Sequence, residues 1–279
     1  MVAVVGNSDQ RVEPSYLTGL VLAASKALAS LKVPTRTELS AKEMRQARLY
    51  AIKEAQNSGR PYHSPEHLER FFTLLTRMEE FIPGLVGQAD VLTVYFHDFD
   101  YRKGSTGKIP EDFAVLAFQE YASREGFPKA LVDGVVERIQ YTVFPVEVGK
   151  ERGWLNGDYT KEWLGPIDRL AGLAQFIECN REEMIEGAIY ESRKVLLEIK
   201  GNIDSSEELL RFALCFYDSE VIRSDVKALR DLFQFHRSEK GEKFVDKLSN
   251  AIDTVVVAIK GQLAKDAVFP YPSPQSIAA

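Results

Sequence analysis

His63 and His67, set in Pro61-Tyr62-His63-Ser64-Pro65-Glu66-His67, and the adjacent pair His97-Asp98 further along are the residues of this chain best suited to chemistry. Neutral imidazole and carboxylate are the usual ligands of a catalytic divalent metal, and a site with few protein ligands leaves positions for water and substrate. The chain has four histidines, and three of them fall in this one stretch beside polar partners. A single histidine at a helix start is more often solvated or hydrogen-bonded than a ligand. Two such residues one turn apart change the balance. So does a His-Asp pair closing the apolar run 89–96, because a polar pair at the end of such a run needs partners.

Ser64 and Pro65 read as the N-cap and first residue of a helix, which places His67 in its first turn and His63 just ahead of the cap. Unpaired backbone N–H groups and the positive end of the helix dipole meet there. Such a terminus favours an anion and keeps imidazoles neutral, as ligation requires, so a phosphate-bearing guest is expected.

The elements that must hold these groups are helices. Leu68, Phe71, Phe72, Leu75 and Met78 recur at helical spacing, as do Met184, Ala188, Ser192, Val195 and Ile199. Ser40 with Glu43 fits a capping box for a helix running to about Ala55, and Pro110-Glu111-Asp112 opens another. No convincing alternating strand run occurs, so the expected fold is an all-α bundle of about ten helices. Its expected organisation is a polar N-terminal tail over 1–14, a metal-binding helical domain over 15–180, a helical extension over 181–265 packed on the same core, and a proline-rich tail over 266–279.

A net charge of −6 disfavours a DNA- or RNA-polymer binder, which needs concentrated Lys and Arg, whereas a small anion needs only a local basic patch. Arg60, Arg102, Lys103 and Lys108 are near the histidines in sequence. Cys179 and Cys215 lack metal or redox spacing and read as reduced core residues. No stretch reaches the roughly 18 apolar residues of a membrane span, and the first residues lack a basic, leader-like start, so a soluble cytoplasmic protein is expected. The pattern leaves room for a homodimer. His236, in register with Ile222, Val226, Leu229 and Phe233, reads as a helix-face or packing residue, and Asp100 and Asp158 as surface or capping carboxylates.

Over about 37–180 the chain resembles the HD superfamily of metal-dependent phosphohydrolases, named for an adjacent His-Asp pair. Tyr62-His63-Ser64-Pro65-Glu66-His67 is similar to the Y-H-N-x-x-H motif of a bacterial branch of that superfamily. Phe96-His97-Asp98-Phe99-Asp100-Tyr101 is similar to its F-H-D-x-x-Y, and Ile167-Asp168-Arg169-Leu170 resembles the A-D-R-L segment that closes the metal site. The resemblance implies an HD-like helical bundle and four ligands, His67, His97, Asp98 and Asp168, around a divalent metal: Mg, Mn, Zn, Fe, Co or Ni. It implies that His63 acts as proton donor and that Asp98 also orients the attacking water. Hydrolysis of a small phosphate ester, expected to be a nucleotide, follows from it. Ser64, Arg102 and Pro110 depart from the branch's pattern, and Tyr141-Thr142-Val143-Phe144 lacks the histidine often found there, which removes a histidine-rich binuclear centre. The alternative reading is a non-catalytic helical regulator that binds metal or nucleotide.

Overall fold

In a computed structural model, the described residues are 36–99, 110–142 and 163–268. Every helix below lies within the unit Glu38–Ala279. These are α1 (Ala41–Ser58), α2 (Pro65–Phe81), α3 (Gln88–Phe96), α4 (Pro110–Glu125), α5 (Lys129–Thr142), α6 (Leu164–Ala174), α7 (Arg181–Lys200), α8 (Ser206–Tyr217), α9 (Glu220–Phe235) and α10 (Glu239–Val268). No strand occurs among the described residues, so the all-α expectation holds. One core runs from Leu39 to Ile259 and takes residues from both sides of position 180. Residues 1–14 and 15–35 and the tail beyond 268 lie outside the described residues, as do Asp100, Arg102, Lys103, Lys108, Val143, Phe144 and Asp158.

Local chemistry sets the helix ends that matter for the site. The α1 capping box forms as expected, with Glu43 accepting from Ser40 N at 2.8 Å, and α1 stops at Gly59, whose φ of 63° suits glycine. Pro65 opens α2 behind Ser64 at the N-cap position, although the Ser64 hydroxyl makes no capping bond. At the start of α3, Asp90 accepts from Gly87 N at 2.8 Å and from Arg138 Nε of α5 at 2.6 Å. That clamp fixes the beginning of α3, and its far end carries His97-Asp98. The Leu68, Phe71, Leu75 and Met78 stripe of α2 is buried, as the spacing requires.

The helix at the centre is α6, packed against α2, α5, α7, α9 and α10 and buried along nearly its whole length. Gly165 permits its close approach to α5: a Cβ there would come 2.5 Å from the Tyr141 carbonyl oxygen. Arg169 locks it to α9, with Nε and Nη2 each 2.7 Å from the two oxygens of the fully buried Asp225. Removing one member of a buried bidentate pair costs about 3–5 kcal/mol. Asp225→Ala is therefore expected to lose that much in denaturant unfolding, whereas replacing both partners by apolar residues of similar volume should cost far less. Equal losses for the single and double variants would deny the pair its anchoring role.

Two expectations about side chains fail. Cys179 and Cys215 are exposed, not core residues. Cys179 lies in the turn after α6 and Cys215 sits on the outer side of α8, where a small apolar side chain loses little by facing solvent. His236 is exposed at the C-cap of α9, one position past Phe235, where the stripe from Ile222 to Phe233 has already left the core.

Candidate metal centre

Three helices deliver the polar cluster to one point. The first turn of α2 supplies His67, the end of α3 supplies His97 and Asp98, and the second turn of α6 supplies Asp168. α6 starts at Leu164, so the Asp168 carboxylate projects from within the helix. His67 Nε2 lies 3.4 Å from His97 Nε2, 3.4 Å from Asp98 Oδ2 and 3.1 Å from Asp168 Oδ1. His97 Nε2 lies 2.6 Å from Asp98 Oδ2 and 3.4 Å from Asp168 Oδ1. The two imidazoles thus stand between the two carboxylates.

This donor set fits a divalent cation. With metal–ligand distances of roughly 2.0–2.2 Å, adjacent donors of a tetrahedral or octahedral shell lie roughly 2.8–3.6 Å apart. Four of the five separations fall in that range, and only the His97–Asp98 contact at 2.6 Å is shorter. Asp98 Oδ2 is buried with three imidazole nitrogens, those of His63, His67 and His97, within 3.4 Å, so several donors crowd one oxygen. His67, His97 and Asp98 all place a ligand atom within 4.8 Å of one another. Two imidazoles and two carboxylates suit a borderline or hard divalent ion and disfavour a soft one.

Neighbouring groups orient the donors. His97 Nδ1 donates to the Val94 carbonyl at 3.0 Å, which leaves Nε2 facing the cluster. Arg60 Nη2 donates to the Asp98 carbonyl at 2.6 Å and fixes the backbone beyond α3. The Tyr62 ring lies against both His63 and His67, with centroids 4.9 and 4.7 Å away. Burial of Glu111, on the first turn of α4, raises its pKa, and repulsion from Asp98 and Asp168 adds to the rise, so this acid feels the cluster's charge.

His63 sits beside the cluster. Its Nε2 is 3.4 Å from Asp98 Oδ2 and its Nδ1 meets Glu198 Oε1 of α7. Glu198 also accepts from Tyr62 N at 2.9 Å and His63 N at 3.1 Å, and Arg60 Nη1 stands 3.9 Å from it. Two backbone donors ahead of the N-cap, those of Tyr62 and His63, are therefore engaged by the chain's own carboxylate. Burial would raise the Glu198 pKa, but the bond and charge of His63 hold it below the usual value.

Burial also opposes charge on His67 and His97, yet the Asp98 and Asp168 carboxylates outweigh it and raise both imidazole pKa values. Reciprocally, Asp98 and Asp168 are held below the carboxylate range against the cost of burial. The imidazoles of the metal-free protein thus keep their protons to higher pH than an exposed histidine, and a cation must displace those protons. Metal affinity is expected to rise with pH through neutrality and to fall as pH drops, with proton release on binding. Titration in a weakly buffered indicator solution reads this directly, and metal uptake without released protons would contradict it.

The cluster opens on a cavity of about 510 Å³ that reaches His63, Asp98 and Arg60 and runs between α1 and α4. No helix among the described residues is long and apolar enough to cross a membrane. Against known protein families, curated proteins and solved structures, the chain has no match.

Proposed function

We propose that this chain is a metal-dependent phosphohydrolase of the HD type, acting on a small phosphate ester and specifically a nucleotide. The observation carrying the reading is the convergence of His67, His97, Asp98 and Asp168 from three helices, with His63 beside them at the mouth of a cavity. A divalent cation in this donor set supplies Lewis acidity toward phosphoryl oxygens and acidifies a water molecule.

The chain's own groups then divide the remaining work. Asp98, whose carboxylate lies between the ligand histidines and His63, can accept a hydrogen bond from the attacking water and aim it. His63 holds its Nδ1 side against Glu198, so its Nε2 is the atom that faces the reacting ester. Protonated there, it gives a proton to the leaving oxygen, and Glu198 fixes the ring and balances its charge. The guanidinium of Arg60, at the edge of the cavity, adds positive charge near the non-bridging oxygens.

The test is metal analysis of the purified protein, followed by phosphate release from a nucleotide panel with each divalent ion and with chelator. Metal-dependent release supports the enzyme. Stoichiometric metal with no release from any nucleotide would favour the regulatory alternative.

A further inference from the structure

Resting on the phosphohydrolase reading above, we infer that the slot between α1 and α4 receives the organic half of the phosphate ester. We infer further that this half is a flat heteroaromatic ring bearing amino groups. The slot exists because small residues face each other across it. Ala51 and Ala55 on α1 lie opposite Ala117 on α4, both helices pack on α3, and the space left is about 510 Å³. That volume is within the usual range of ligand sites. One end holds His63, Asp98 and Arg60, so a phosphate bound there directs its organic group into the slot.

The walls are aromatic. Tyr50 stacks on Tyr121 with centroids 4.5 Å apart and on Phe99 at 5.5 Å. The exposed Arg124 lays its guanidinium over Tyr50 and Tyr121, 5.5 and 5.2 Å from their centroids. Aromatic and guanidinium planes are the surfaces on which nucleobases stack. A bare sugar phosphate would leave these planes unused.

The rim selects among rings. Glu54 and Glu120 line the slot on facing helices, and an ionised carboxylate only accepts hydrogen bonds. An exocyclic amino group donates to such an acceptor, whereas an oxo group at the same ring position is repelled by it.

Matched nucleosides test the slot without any need for hydrolysis. Cytidine and uridine differ by amino against oxo at one ring position, as do adenosine and inosine. Titration calorimetry on the full-length protein should show at least one amino member binding, and its oxo counterpart binding at least about tenfold more weakly. Ala55→Leu and Ala117→Leu, which fill the slot from opposite walls, should each weaken that binding about tenfold or more with helical and metal content unchanged. Glu54→Gln with Glu120→Gln should shrink the preference for the amino member. Failure of all four nucleosides to bind, equal or tighter binding of the oxo member in both pairs, or indifference to both leucine variants would overturn the assignment. Phosphate release from the corresponding nucleotides, measured in parallel with each divalent ion, judges the phosphohydrolase reading alone. No release with nucleoside bound would end that reading and leave a ring-binding slot, while release with no ring preference would end the slot.

Discussion

His67→Ala, His97→Ala and Asp98→Ala are each expected to lose tightly bound divalent metal while keeping helical content near that of the parent protein. Each substitution deletes one of the converging donor atoms, and each donor is held by an element whose own stability comes from elsewhere. α2 is buried through Leu68, Phe71, Leu75 and Met78 and α3 through Leu92, Val94 and Phe96, with Phe71 also lying against the His67 and His97 rings. Groups that merely orient a ligand typically cost 10–100-fold in metal affinity when removed, so deleting a ligand itself should cost more than about 100-fold. Asp168→Ala should behave in the same way, since its Oδ1 contacts both imidazoles, at 3.1 and 3.4 Å. Metal content after dialysis, read beside circular dichroism, decides the point. Full stoichiometric metal in the His67, His97 and Asp98 variants would remove the proposed centre.

The parts of this arrangement legible in the sequence are those governed by near neighbours. Helical spacing placed the α2 stripe, Ser40 with Glu43 marked the α1 cap, and Ser64-Pro65 marked the start of α2. His97 and Asp98 are covalently adjacent at a helix end, so any fold that buries 89–96 must find them a partner. Asp168 is different. Its approach to the histidines depends on how α6 packs between α2 and α9, which no local signal encodes, and only the family resemblance singled it out.

Glu198 escaped notice for a further reason. Met184, Ala188 and Ser192 of the α7 stripe are buried and Val195 is half-buried, but Ile199 is exposed, and Glu191 and Glu198 share the inward side. Glu191 is buried against Arg70 and Lys194, and Lys194 also reaches Glu66 at 2.6 Å. Two acids seven residues apart on the inward side of a helix were the available signal, since such acids stay buried only when cations or imidazoles meet them.

The contact between His63 and Glu198 leads to the second large expected effect. His63→Ala should keep the metal, because His67, His97, Asp98 and Asp168 are untouched, and should lower turnover by about 10²- to 10⁴-fold, the range for a general acid or base. The loss should shrink for p-nitrophenyl phosphate, whose leaving group departs without a proton, and stay large for an alkyl phosphate. Glu198→Gln keeps an acceptor opposite Nδ1 but removes the charge that stabilises the protonated ring, so it should show the same dependence on leaving group with a smaller loss. That shared dependence separates proton transfer from structural damage, which would slow activated and unactivated esters alike. An equal loss on both esters with metal retained would assign His63 to holding the substrate. Loss of the metal itself would make His63 a ligand, and one of the other four would then have to leave the inner shell.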